Sequence, residues 1–456
     1  MNKIRTLLWV ILFLIATSAI TAGAAPFAYV ANLGGGVSVI DTASNTVAAT
    51  VQAGIGPQGV AITPNGAFAY VANFTSNDVS VIDTATNTVV ATVPVGAGPW
   101  GVAIAPSGAF AYVTAFDFCV GSVSVIDTTV GSPTVNTVVA TVSPLGGCLT
   151  GVAVAPSGAF AYVANFTANN VAVIDTSTNT VLTTVPVGSG PRGLAITPNG
   201  AFAYVANSMS NTVSVLETTT NTVIATVASG TIVGGPFGVA VTPNGSFAYV
   251  TVFDTVSLSC IGGVWVIDTI TNTVVATVSP LDSCPSGVAI TPNGAFVYVT
   301  QSGLGTSANS VSVISTASNS VVATIGVGIA PGGVAITPAI VPLNVAIDVK
   351  PGGGPNNINT TSQSLIRVVI LSSSDFDAFA RVDPSSLTFG RTGDEPSLAS
   401  CDASASDANG DGLPDLVCHF FKTLTAFQPG DTVGVLKGST VDGQPIVGTD
   451  AVHIVR

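Results

Sequence analysis

From Phe27 to Pro338 the chain repeats one pattern: four short apolar runs, each ended by a polar turn. In its second copy these read FAYVAN from Phe68, VSVIDT from Val79 and TVVATVPV from Thr88, followed by GVAIAP from Gly101. Runs of five to eight residues rich in Val, Ile, Thr and aromatics, punctuated by P-N-G, P-S-G and T-N-T, predict strands and tight turns. No later segment sustains apolar residues at helical spacing. Each copy therefore reads as one four-stranded antiparallel sheet. Apolar residues on both faces of its strands suit a sheet packed between two neighbours.

A tyrosine inside A-Y-V or V-Y-V marks the register at Tyr29, Tyr70, Tyr112, Tyr162, Tyr204, Tyr249 and Tyr298, which are all seven tyrosines of the chain. A period of forty to fifty residues built of strands and turns predicts propeller blades rather than a helical solenoid. Seven G-[VL]-A-[IV]-[TA]-P runs give the same count, and their small residues suit the crowded axis. The chain enters the pattern at the second strand (Phe27) and leaves after a seventh G-V-A-I-T-P (Gly333 to Pro338). The last strand should complete the first blade and leave no open edge there. The fold class is all-β, a seven-bladed β-propeller followed by a small β-sandwich.

The strings A-Y-V-A-N, V-S-V-I-D-T, N-T-V-V-A-T-V and G-P-x-G-V-A-I-T-P resemble the YVTN-type β-propeller repeats of secreted and surface-layer proteins, over about two thirds of the chain. The resemblance implies a fold and an extracytoplasmic habit, but no single chemistry. The start of the chain agrees. Residues 1–24 carry Lys3 and Arg5, an apolar run from Leu7 and the small-residue site Ala22-Gly23-Ala24, the layout of a secretory signal peptide. The expected division is then 1–24 leader, 25–340 propeller and 341–456 β-sandwich, with V-P-L-N as linker. The protein is expected outside the cytoplasm, either secreted, at the cell surface or in the periplasm, with no transmembrane segment in the mature chain.

Six cysteines in a secreted chain suggest three disulfides. Cys119 and Cys148 belong to the third unit, Cys260 and Cys284 to the sixth. In both units the first cysteine lies in an expanded loop after the second strand, and the second follows V-S-P-L. Both loops leave the same face of a blade, so Cys119–Cys148 and Cys260–Cys284 are expected. Cys401–Cys418 follows by elimination.

The chain carries a net charge of −13, and its repeat region has ten acidic residues against one basic residue, Arg192. Such a ring repels phosphate backbones and excludes nucleic-acid binding. Asp41, Asp83, Asp127, Asp175, Glu217 and Asp268 recur where the third strand ends, in D-T-x-[ST]-N. That is hairpin chemistry, with the carboxylate bonding nearby amides, rather than a ring of metal ligands. The unit with Ser315 in that place fits a turn and not a ligand ring. Asn45, Asn87, Asn179, Asn221, Asn272 and Asn319 read as turn residues. Asn73, Asn165, Asn244 and Asn359 open N-x-[ST] sequons.

Function on such a scaffold sits in loops and near the axis. One variable position in G-P-x-G is filled by Gln58, Trp100, Arg192, Phe237 and Gly332, with Thr150 and Ser286 in the cysteine-bearing units. These should ring the channel mouth. Trp100 and Phe237 offer apolar faces to sugars or aromatic ligands, and Arg192 suits a carboxylate. The insertions 116–122, 253–263 and 301–310 should emerge on the same face. The reading is a non-enzymatic binding or cell-surface protein whose partner is an extracellular glycan, peptide or protein, with no cofactor in the propeller. The alternatives are a hydrolase or lyase at the channel mouth and a purely structural envelope component. Histidine is the usual general base. The propeller has none, so an enzyme would rest on Asp117, Asp254 and Asp282 in the expanded loops, with Arg192 beside them.

Beyond Pro338 the period stops, and the strings I-D-V-K-P-G, D-F-D-A and D-x-N-G-D-G-x-x-D-L resemble a small accessory domain of secreted microbial proteins. Asp407, Asn409, Asp411 and Asp415 stand at positions 1, 3, 5 and 9 of a calcium-type loop, with the Leu413 carbonyl at position 7 and Gly412 at the sharp turn. Position 12 is Cys418 instead of Glu, which predicts weak Ca²⁺ binding, about 10⁻⁴–10⁻³ M as in extracellular modules. Cys401 and Cys418 flank the loop. His419 and His453, the two histidines, stand apart and read as core or surface residues.

Overall fold

The computed structural model describes residues 26–116, 119–228, 235–253, 262–281, 283–302, 309–339, 342–351, 356–441 and 444–455. Residues 27–336 form a seven-bladed β-propeller of four-stranded antiparallel sheets. Blade 1 combines Phe27–Asn32, Val37–Asp41 and Thr46–Val51 with the last repeat strand, Pro331–Ile336, on its inner edge. Tyr29 faces Ala335, and Val30 faces Val334. The ring is thus closed by a strand from its far end, as the phase of the repeat predicts. Blades 2 to 7 lie within 57–94, 99–142, 149–186, 191–228, 235–281 and 284–326.

Burial follows position in the blade. The second and third strands, such as Phe68–Asn73 and Asp78–Asp83, are buried nearly throughout because a neighbouring blade covers each face. Tyr70, Ala72, Val79, Val81 and Val93 of blade 2 pack against Ala111, Val113 and Ile126 of blade 3 in one cluster. Inner strands are half-buried because they line the channel, and outer strands such as Thr88–Pro94 are largely exposed.

The innermost strands approach so closely that their glycines are obligatory. A Cβ on Gly333 would stand 2.7 Å from the Gln58 carbonyl oxygen of the next blade, and one on Gly101 would stand 2.6 Å from that of Thr150. Backbone cannot yield to such contacts, so the second glycine of G-P-x-G is a steric requirement of the axis.

At the opposite end, the D-T-x-[ST]-N hairpins behave as read. Asp41 Oδ1 accepts from the amides of Ala43 (2.7 Å) and Ser44 (3.2 Å), and Asn45 adopts φ +54°. Asn136, in the longer hairpin of blade 3, has the same role with φ +58° and joins the asparagines read from the sequence. The sequon reading fails at Asn73 and Asn165. Both side chains are buried, and Asn73 Nδ2 is held by Asp78 Oδ1 (2.6 Å) and Ser80 Oγ (2.9 Å).

Beyond the ring, two four-stranded sheets make the small β-sandwich. One joins Leu343–Asn344, Pro445–Ala451, Val433–Thr440 and Val382–Gly390; the other joins Ile347–Val349, Leu365–Ile370, Leu416–Phe421 and Leu398–Cys401. Val368, Ile370, Phe389, Phe420 and Leu436 fill its core. Half of the expected V-P-L-N linker is therefore sheet, since Leu343 and Asn344 pair with Ile446 and Val447. A short α-helix, Ala378–Arg381, capped by Asp377, interrupts the β-structure.

Candidate functional site at the channel mouth

The variable residues of G-P-x-G meet where the sequence places them. Gln58, Trp100, Arg192, Phe237, Ser286 and Gly332 line a cavity of about 350 Å³ at the start of the inner strands. Thr150 does not join them. It is fully buried, and its hydroxyl is directed at the carbonyls of Ala164 (3.3 Å), Pro191 (3.1 Å) and Arg192 (3.2 Å). A small β-branched hydroxyl side chain satisfies itself in the seam between blades, whereas longer side chains reach the channel.

A second set of mouth residues went unread: the position four after each marker tyrosine, just past the second strand. It holds Leu33, Phe74, Phe116, Phe166, Ser208, Phe253 and Ser302. These residues clasp the G-P-x-G residues. Trp100 stacks on Phe116 with centroids 5.7 Å apart and meets Phe74 edge-on at 5.8 Å, while Phe237 packs on Phe253 at 5.9 Å. The guanidinium carbon of Arg192, in blade 5, lies 4.7 Å from the ring centroid of Phe166 in blade 4 and 4.7 Å from that of Phe237 in blade 6. Its Nε donates to Ser208 Oγ (3.2 Å), which donates to the Gly190 carbonyl (2.9 Å). Burial lowers the Arg192 pKa, yet a guanidinium stays protonated at any physiological pH. Among the described residues, no carboxylate pairs with it.

Cys119–Cys148 ties the blade 3 loop at this face, and Cys401–Cys418 bridges adjacent strands of the sandwich. Cys284 is also in a disulfide; Cys260, its expected partner, lies outside the described residues. So do Asp117, Asp254 and Asp282 and most of the insertions 253–263 and 301–310.

The loop 407–415 folds as successive Asx turns. Asp407 accepts from the amides of Gly410 (2.7 Å) and Gly412 (3.0 Å), Asn409 from Asp411 (3.0 Å) and Asp411 from Leu413 (2.8 Å). Asp407, Asn409 and Asp411 are exposed, and each accepting oxygen keeps a second lone pair for a hard cation. Asp415 is fully buried and accepts from the amides of Ser372 (2.8 Å) and Ala408 (2.9 Å). Among the described residues, no three His, Cys, Asp or Glu side chains are gathered as a metal site. The donor types suit calcium; their placement here is that of a self-bonded turn. His419 Nε2 lies 3.2 Å from Asp402 Oδ1, on the surface and apart from His453.

The family model "Lactonase, 7-bladed beta-propeller" matches residues 37–241. Among solved structures, a protein of unknown function from Desulfotomaculum acetoxidans is 20% identical with a TM-score of 0.57, covering 68% of this chain and 99% of its own. A candidate 6-phosphogluconolactonase from Bacteroides uniformis is 17% identical with a TM-score of 0.56, at the same coverages. Hydrazine synthase from Kuenenia stuttgartiensis is 21% identical with a TM-score of 0.53, covering 61% of this chain and 88% of its own. At such identities the likeness is one of fold. No curated protein matches the chain. No helix among the described residues is long and apolar enough to cross a membrane.

Proposed function

We propose that this is an extracytoplasmic binding protein whose ligand or partner seats on the loop face of the propeller, at the channel mouth. The observation that carries this reading is the convergence of Gln58, Trp100, Arg192 and Phe237, drawn from four blades, on one cavity. About 350 Å³ is ample for a sugar ring or a small aromatic molecule. Varied side chains at one repeat position, on a scaffold otherwise near-identical from blade to blade, are what a binding surface needs. A glycan and small-molecule array read with the wild-type protein and Trp100→Ala tests it. Binding that Trp100→Ala removes is the expected result; binding to nothing favours a purely structural envelope role.

A second reading, a lactone hydrolase or lyase at the same mouth, is favoured by the family match over 37–241. The polar groups among the described lining residues are Gln58, Arg192, Ser286 and Ser302. The proton-transfer role would then fall to Asp117, Asp254 or Asp282. Turnover of a lactone panel that vanishes in Asp117→Ala or Asp254→Ala would establish this reading over the first.

For the C-terminal loop we propose calcium held by Asp407, Asn409, Asp411, the Leu413 carbonyl and Asp415. Its support is the ligand spacing together with the exposed, singly bonded oxygens of the first three. Calorimetry with Ca²⁺ should give heat that disappears in Asp407→Ala, and no heat in the wild type would refute the site.

A further inference from the structure

Arg192 is the single cation of the repeat region, and its surroundings are built to hold it rather than to neutralise it. Phe166 and Phe237 flank the guanidinium at 4.7 Å, so its planar faces are covered by aromatic rings. Ser208 fixes the Nε edge. The terminal Nη groups are left with no hydrogen-bond partner among the described residues, and Arg192 is part of the cavity wall. A rigid, half-buried guanidinium with one open edge is a fork for a planar oxyanion.

The negative charge of the described residues does not cancel this. The acids Asp41, Asp83, Asp127, Asp175, Glu217 and Asp268 stand at the far ends of the third strands. A six-residue strand spans about 20 Å, more than twice the Debye length of about 8 Å at physiological ionic strength. The one described acid at the mouth face, Asp78, accepts from Asn73 at 2.6 Å. Among the described residues, the nearest field at the mouth is therefore that of Arg192; Asp117, Asp254 and Asp282 lie outside them. One guanidinium balances one charge, which favours a monoanion over a phosphate dianion on a chain of net charge −13.

Resting on the ligand-binding reading above, we propose that the mouth selects small monocarboxylates with a ring-shaped body. The carboxylate sits on the open Nη edge of Arg192, and the ring sits on the aromatic wall of Trp100 and Phe237.

Calorimetry with the full chain tests this, using benzoate against benzamide and D-glucuronate against D-glucose, with glucose 6-phosphate as the dianion. The expected result is that each carboxylate binds and its neutral counterpart binds at least about tenfold more weakly, as does the dianion. Arg192→Gln should weaken carboxylate binding about 10- to 100-fold, and Arg192→Lys, which keeps the charge but loses the fork, should fall between. Neutral compounds binding as tightly as the acids, or Arg192→Gln binding unchanged, would overturn the inference. If neutral ligands bind and Trp100→Ala abolishes that binding, the mouth remains a binding site and only the carboxylate preference falls. No binding by any carboxylate overturns the preference as well.

Discussion

Tyr298 in the seventh blade donates its hydroxyl to Asn45 Oδ1 of the first, at 2.7 Å across 253 residues of sequence. The same bond joins Tyr29 to Asn87 (2.7 Å), Tyr70 to Asn136 (2.7 Å), Tyr162 to Asn221 (3.1 Å), Tyr204 to Asn272 (2.6 Å) and Tyr249 to Asn319 (2.9 Å). Each blade's marker tyrosine thus grips the hairpin of the next, and only because the asparagine takes positive φ does its side chain reach back. Tyr112 departs from the rule: the oxygen of its counterpart Asn179 is buried with no hydrogen-bond partner among the described residues. Tyr298→Phe should cost about 0.5–1.5 kcal/mol, one net hydrogen bond. Asn45→Ala should cost more, about 2–3 kcal/mol, because it orphans a buried hydroxyl and forces alanine into the left-handed region. Urea melts of the two variants check the order; equal midpoints for both and for wild type would contradict it.

All seven tyrosines are buried, and burial raises each phenol pKa. Tyr29, Tyr204 and Tyr298 are pushed up to about 12 by burial first and then by the Asp83, Asp268 and Asp41 carboxylates beside them. Raised pKa values stabilise the fold fully below pH 10, and that stability drains as pH climbs towards 12. Phenolate absorbance should therefore lag that of free tyrosine and rise together with loss of the β-sheet circular dichroism. A normal titration centred at pH 10 with the fold intact would refute the inter-blade clasp.

The acid side turns on Asp127. Its burial alone would raise the pKa, but hydrogen bonds from Ser132, Thr134 and Thr129 outweigh this and hold it at about 2. A depressed carboxylate stabilises above pH 4 and loses that contribution as pH falls through 2. Asp127→Asn should cost about 2 kcal/mol at pH 7 and nothing further near pH 2. A variant penalty independent of pH would assign the loss to packing alone.

Ring closure itself is exposed to one methyl group. Gly333→Ala places a Cβ 2.7 Å from the Gln58 carbonyl, where only backbone movement can relieve it. A penalty of about 1–3 kcal/mol is expected, against little change for Gly326→Ala, where an added Cβ meets nothing within 4 Å and the backbone is not left-handed. Thermal melts compare them.

The ring was legible because its signals are local and repeated: tyrosine register, turn chemistry and the phase that sends Gly333 back to Phe27. The Cys119–Cys148 pair was legible for the same reason, since equivalent loops must share a face. Thr150 was misplaced because a repeat position fixes where a Cα stands and not whether a short hydroxyl turns into the seam. The Phe74, Phe116, Phe166 and Phe253 wall was written at a constant offset from each tyrosine, but its meaning depends on contacts between blades. The sequons at Asn73 and Asn165 failed because a motif of three residues carries no record of burial.

Trp100 lines the mouth, whereas Trp265 is fully buried in blade 6, which makes intrinsic fluorescence the most direct probe of the central claim that ligand enters at this mouth. Titration with D-glucuronate should change the emission saturably in wild type and leave Trp100→Phe silent. A saturable change that persists in Trp100→Phe would place binding elsewhere and contradict the account.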